Sequence, residues 1–117
     1  MTNIDPSWVL CELRETLGRL AQDPAAQEEY ADSLGTGIDE LALEFDAVAP
    51  VAPALAARKL ISRDQAVAIS AVHDKLGQMS GSHNSALWTS EALHVAPEWT
   101  EVRRLASLAL DLLSDLN

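Results

Sequence analysis

The sequence predicts an all-α protein: a single domain over residues 1–117, built as a bundle of four main helices with one or two short helices. Three observations support this prediction. Two Asp-Pro pairs, at Asp5 and Asp23, mark helix starts, because aspartate caps free backbone N–H groups and proline suits the first helical position. Apolar residues recur three and four positions apart, which is the period of one helix face. No stretch alternates apolar and polar residues as strands do, and short connections favour antiparallel neighbours.

The first helix is expected to begin at Pro6, with Asp5 as its N-cap. Its buried stripe is predicted from the spacing of four leucines, Leu10, Leu13, Leu17 and Leu20. At about 100° per residue, Trp8 and Cys11 fall off that stripe. The first helix is therefore expected to contact a second neighbour.

The second helix is expected to run from Pro24 through Leu34 and to end at the GTG turn of residues 35–37. A third helix follows over about residues 38–49. The apolar residues that it should turn toward the core are Ile38, Leu41, Phe45 and Val48.

Two prolines, Pro50 and Pro53, should end or kink the third helix, because proline removes a backbone donor and clashes with the preceding turn. One or two further helical turns are expected over residues 54–60. Arg58 and Lys59 would then lie near a helix C-terminus, where positive charge is favourable.

The central helix has the clearest start and stop signals. Ser62 and Gln65 are spaced as a capping box, in which each side chain satisfies a free backbone N–H, and Gly81 is expected to close the helix. The predicted core stripe between them is Ile69, Val72, Leu76 and Met79. Residues 80–85, SGSHNS, read as a loop from their composition.

Two helices are expected after that loop, a short one with Thr89 as a possible cap and a last one from Pro97 to about Leu116. Leu108 and Leu110 widen the apolar arc of the last helix to roughly 200°, twice what a surface helix needs. Either this helix lies in the middle of the bundle, or its Leu108 and Leu110 flank forms a homodimer interface. Trp99 is expected in the core, whereas Trp8 and Trp88 are left open between core and surface.

The charge balance and composition exclude several classes of function. The chain has 18 acidic and 8 basic residues and a net charge of −10, which repels phosphate backbones, so no nucleic-acid partner is expected. No apolar run reaches the roughly 20 residues of a membrane helix, and MTNIDPSW lacks the features of a signal peptide. A single cysteine suits a reducing compartment. We therefore expect a bacterial-type cytoplasmic protein without a membrane partner.

Motifs of catalytic or cofactor-binding classes are missing from the sequence: there is no Gly-rich phosphate loop, CxxC, HExxH or GxSxG. His73, His83 and His94 do not share a helical face at metal-binding spacing, so no metal site and no cofactor are expected. His73 is interpreted as a histidine at the edge of the core, with a pH switch or a small-ligand pocket as the alternative. Cys11 is interpreted as a small packing residue. We therefore predict no enzyme.

The acidic stretch of residues 23–46 is the feature with the strongest functional implication. It contains eight acidic residues and no Lys or Arg, so no base four positions away offsets the repulsion. Leu43 points away from Leu41 and Phe45 on the predicted helix, toward Asp39, Glu40 and Asp46. An apolar residue ringed by carboxylates suits a basic protein partner, since charge steers the encounter and the apolar residue anchors it.

The leading hypothesis is therefore a small acidic protein whose Asp39, Glu40, Leu43 and Asp46 bind a basic protein. In size, acidity and helicity the chain is similar to small immunity proteins that inhibit cationic toxin nucleases. The similarity involves no motif, so it assigns no residue a role. The alternatives are a structural or regulatory homodimer built on the last helix, with Leu108 and Leu110 in the interface, and a small-ligand binder with a pocket near His73.

Overall fold

Seven α-helices and two 3₁₀ segments make up the computed structural model, which describes residues 6–114. The α-helices are α1 (Pro6–Ala21), α2 (Pro24–Ser33), α3 (Asp39–Asp46), α4 (Ala52–Ala57), α5 (Arg63–Gln78), α6 (Ser90–Val95) and α7 (Pro97–Leu113). The 3₁₀ segments are Ala49–Val51 and Ser82–Trp88, and residues 6–114 contain no strand. The all-α prediction is confirmed. The count of four main helices is not, because only α1, α5 and α7 reach 16 or 17 residues.

The predicted helix starts are present where the structure describes them. Asp23 and Thr89 each accept a hydrogen bond from the backbone N–H three residues on, at 2.9 and 3.1 Å. The capping box of α5 is formed in both directions: the Gln65 N–H donates to Ser62 Oγ, and the Ser62 N–H donates to Gln65 Oε1. The predicted cap Asp5 lies outside the described residues. Side-chain caps thus fix where α2, α5 and α6 begin.

Helix ends differ more from the predictions. α2 ends as expected, with Gly35 at a φ of 68° and the N–H of Thr36 bonded to the Ala31 carbonyl, a Schellman motif. α5 ends at Gln78, so Gly81 does not close it; the φ of 103° at Gly81 instead turns the chain into the next segment. The prediction of a loop over residues 80–85 is also wrong, because residues 82–88 form 3₁₀ turns.

The third helix is shorter than predicted. α3 ends at Asp46 rather than near residue 49, and the 3₁₀ segment and α4 carry the chain past the two prolines. Proline at the first or second position of a helical segment costs no hydrogen bond, so both prolines are accommodated. The four residues predicted to face the core are all buried: Ile38, Leu41, Phe45 and Val48.

The core is built by α7, which packs against α1 on one side and α5 on the other. The fully buried residues of these three helices include Leu13, Leu17, Leu20, Ile69, Val72, Trp99, Val102, Ala106, Ala109 and Leu113. Leu10 is only half-buried, and Val9 takes its place in the stripe of α1. The wide apolar arc of α7 therefore serves two neighbours within the chain.

The three tryptophans have different environments. Trp99 is fully buried, as predicted, and its indole N–H donates to the Leu87 carbonyl at 2.6 Å. Trp88 is half-buried; its ring meets that of Trp99 edge to face at 5.3 Å, and its indole N–H donates to the Met79 carbonyl. Trp8 is 58% exposed. Two tryptophans thus belong to the core region and one to the surface.

A buried amide joins four helices. Gln27 is fully buried, and its Nε2 donates to the carbonyls of Arg19 and Leu20 at 3.0 and 2.9 Å, at the end of α1. Arg103 Nη1 donates to Gln27 Oε1 at 3.0 Å and to the Leu93 carbonyl at 3.2 Å. Partial burial lowers the pKa of the Arg103 guanidinium, which nevertheless stays charged at neutral pH. Gln27 thus links α2 to α1, α6 and α7.

No helix in residues 6–114 is long and apolar enough to cross a bilayer.

Replacing Gln27 with leucine should destabilise the fold. Gln27→Leu keeps most of the side-chain volume but removes the amide bonds to the Leu20 and Arg19 carbonyls and to Arg103; the Arg19 carbonyl keeps the Gln22 N–H, and Arg103 keeps the Leu93 carbonyl. An unsatisfied buried carbonyl costs about 1–3 kcal/mol and each of the other two lost hydrogen bonds about 0.5–1.5 kcal/mol, so we expect a loss of about 2–6 kcal/mol in the free energy of unfolding. Urea unfolding measures it, with the exposed Gln22→Leu as the control. A loss below about 1 kcal/mol would contradict the role of Gln27.

Candidate protein-binding surface

The α3 helix presents one face to the core and the opposite face to solvent. Leu41 and Phe45 pack inward, which leaves Leu43 pointing outward with 55% of its surface exposed. Asp39 is exposed, and Glu40 and Asp46 are half-buried. We call the four residues Asp39, Glu40, Leu43 and Asp46 the α3 surface. The exposed position of Leu43 follows from the helical period and matches the sequence analysis.

Leu43 forms a ridge between two open grooves. The first groove, between α3 and the second 3₁₀ segment, has a volume of about 410 Å³. Its lining residues are Asp39, Ala42, Leu43, Asp46, Ser80, Gly81, Ser85 and Trp88. We call it the α3–3₁₀ groove. Three of the four residues of the α3 surface lie along it, and among its lining residues within 6–114 only acids have charged side chains.

The second groove lies between α1 and α3 and has a volume of about 350 Å³. Its lining residues are Trp8, Glu12, Thr16, Arg19, Glu40, Leu43, Glu44, Ala47 and Val48. We call it the α1–α3 groove. It adds a second large exposed apolar residue, Trp8, to the surface around Leu43.

Glu44 is held by residues from two other helices. Its carboxylate accepts a hydrogen bond from the Tyr30 hydroxyl at 2.6 Å and pairs with the Arg19 guanidinium at 3.3 Å. The Arg19 guanidinium also lies over the Tyr30 ring, 4.5 Å from its centroid. The hydrogen bond to Glu44 raises the pKa of the Tyr30 hydroxyl, because it stabilises the protonated phenol. Glu44 is therefore an internally paired acid.

Asp46 also has a partner within the chain. The Nδ1 of His73 lies 3.1 Å from Asp46 Oδ1, and both side chains are partly exposed. The carboxylates of Asp39, Glu40 and Glu12 make no hydrogen bond or ion pair with any other residue in the range 6–114. Some acids of the stretch thus have partners within the chain that the sequence did not indicate. Asp39 and Glu40, two of the three acids in the α3 surface, have none within residues 6–114.

The structure brings the four predicted residues onto one surface and adds some that the sequence analysis missed. Asp39, Leu43 and Asp46 line the α3–3₁₀ groove, and Glu40 and Leu43 line the α1–α3 groove. The residues missed were Trp8, Glu12 and Trp88. The position of Trp8 off the leucine stripe was the one sign in the sequence that it faces away from the core. That Trp8 shares a groove with α3 could not be predicted, because the two are far apart in the sequence.

The other candidate residues do not line the two grooves around Leu43, although His73 contacts Asp46 of the α3 surface. Among residues 6–114 no three His, Cys, Asp or Glu side chains are arranged to hold a metal ion. His83 contacts Asn84, and His94 contacts Glu28. Cys11 is exposed, so it is not a packing residue as interpreted from the sequence. His73 lines neither groove around Leu43.

The predicted dimer residues are on α7. Leu108 is 49% exposed, whereas Leu110 is half-buried and packs against the core.

No protein-family model, no curated protein and no solved structure matches the chain. Roles for residues therefore rest on the geometry described above.

The ionisation of Tyr30 tests the electrostatics of this surface. Tyr30 is the only tyrosine in the chain, so phenolate absorbance reports it alone. We expect a pKa above the ordinary value of about 10, because ionisation would place a phenolate against the Glu44 carboxylate. Glu44→Gln should move the pKa back toward about 10, the value expected for the urea-unfolded chain. Identical titrations of the folded protein and the variant would contradict the Tyr30–Glu44 contact.

Proposed function

We propose that this chain is a non-catalytic protein that binds a basic protein partner through the α3 surface, as an immunity-like or regulatory protein would. One observation carries the proposal: a half-exposed Leu43 stands between two open grooves whose unpaired charges are all carboxylates.

Charge and apolar surface have separate tasks in this proposal. The net charge of −10 and the unpaired carboxylates of Asp39 and Glu40 attract a basic partner and orient it during the encounter. Burial of Leu43 in a pocket of the partner then slows dissociation. Full burial of an exposed leucine side chain contributes about 1.5–3 kcal/mol, and Leu43 is 55% exposed, so its burial contributes about half of that and alters affinity by about fourfold to fifteenfold.

Photo-crosslinking from Leu43 tests the proposal directly. With p-benzoylphenylalanine at position 43, irradiation of cells of the source organism should give an adduct with a protein of high pI. Val67 and Val95 are matched control positions, because they are 60% and 71% exposed and line neither groove around Leu43. Adducts at position 43 alone are expected. No adduct, equal adducts at all three positions, or an acidic captured protein would contradict the proposal.

The contribution of charge is tested with the captured partner. The double variant Asp39→Asn, Glu40→Gln should weaken binding by about threefold to tenfold and reduce its salt dependence, since exposed charge pairs contribute little individually. The control, Glu29→Gln with Asp32→Asn, makes the same charge change on exposed residues of α2. It should change affinity by less than about twofold. Equal effects of the two double variants would mean that only net charge matters.

A second candidate function is a structural or regulatory homodimer built on α7, and the exposure of Leu108 favours it. Light scattering coupled to size-exclusion chromatography, at low and high salt, should then show a dimer that survives high salt. Leu108→Glu is the cleaner variant, because Leu110 packs against the core and Leu110→Glu would also destabilise the monomer. A monomer at both salt concentrations would rule this candidate out.

A further inference from the structure

We infer that the α1–α3 groove receives an arginine side chain of the basic partner, which lies on the Trp8 ring and pairs with Glu12. This inference rests on the proposed function and specifies the chemistry by which one of the two grooves recognises the partner. It assigns roles to Trp8 and Glu12, two residues of α1 that lie outside the acidic stretch 23–46.

An arginine bound by an aromatic ring and a carboxylate already occurs within the chain, at the other end of the α1–α3 groove. There Arg19 lies 4.5 Å from the centroid of the Tyr30 ring, and its Nη1 is 3.3 Å from Glu44 Oε1. An aromatic face and a carboxylate thus bind one guanidinium together. A guanidinium is suited to this combination, because it is planar, stacks on aromatic rings and is weakly hydrated.

Trp8 and Glu12 provide these two components without a guanidinium. They are four residues apart on α1, so they lie one above the other on the same side of the helix, and both line the groove. Trp8 is 58% exposed, and neither its indole N–H nor the Glu12 carboxylate bonds to another residue within 6–114. Tryptophan is also the aromatic residue that binds cations best.

Within residues 6–114, no basic side chain fills this end of the groove. Arg19 is the one basic residue among the lining residues in that range, and it is already paired with Glu44. The Trp8 end therefore has an aromatic face and one carboxylate, and the exposed Leu43 lines the same groove; together they fit a partner segment that has a basic and an apolar residue.

NMR with defined peptides tests this inference on the intact chain. The probe is a ten-residue peptide with three Arg and two Leu residues, and its match replaces each Arg with Lys. The Arg peptide should shift the indole N–H signal of Trp8 saturably, whereas the signal of Trp99, which is fully buried and lines neither groove, should stay in place. The Lys peptide should bind about threefold to fivefold more weakly, because lysine stacks less well on an aromatic ring.

Two variants and a control complete the test. Trp8→Leu should abolish the preference for Arg over Lys, and Glu12→Gln should weaken the Arg peptide about twofold to fivefold. Glu15→Gln removes an exposed carboxylate from α1 outside the groove and should leave affinity unchanged. Equal binding of the two peptides, or a preference for Arg that survives Trp8→Leu, would overturn the inference.

The inference and the proposed function fail in different ways. If crosslinking at position 43 captures a basic protein whose affinity is unchanged by Trp8→Leu, the arginine site is wrong and the proposed function stands. If no basic protein is captured but the Arg peptide still moves the Trp8 signal selectively, the groove chemistry stands and the proposed function is wrong.

Discussion

The burial of α7 between α1 and α5 is the constraint on which the other elements depend. Ala106 and Ala109 are fully buried, and such small side chains let helix backbones approach closely. α1 packs against α7 on one side and against α3 on another. The packing of α1 on α3 creates the α1–α3 groove. The position of the α3 surface is therefore a consequence of how the core is filled.

Helix starts could be predicted from the sequence because they depend on neighbours within four residues. The caps of Asp23, Ser62 and Thr89 are all formed. The sequence was less informative where tertiary packing determines the local conformation. Residues 82–88 have a loop-like composition, but the hydrogen bond from Trp88 to the Met79 carbonyl ties their end to the chain after α5, and they adopt 3₁₀ turns. That contact cannot be predicted from local composition.

The same distinction applies to the candidate surface. The outward direction of Leu43 follows from helical periodicity alone, and the structure agrees. The pairing of the acids near Leu43 does not follow from periodicity. His73 contacts Asp46 from 27 residues away, and Arg19 contacts Glu44 from 25 residues away. Trp8 joins the surface only through the packing of α1 on α3. Tertiary contacts thus decided which predicted acids remain available.

The pairing of α1 with α7 also has a consequence during synthesis, because α7 leaves the ribosome long after α1. Arg14 donates a hydrogen bond to the carbonyl of Leu113, 99 residues later. At about 5–20 residues per second, the leucine stripe of α1 waits roughly 5–20 s for its main partner to be synthesised. Residues 23–46, eight of them acidic, follow α1 directly, and their mutual repulsion opposes association between nascent chains during that interval. Charge repulsion between nascent chains thus acts while the leucines of α1 still lack the packing surface of α7.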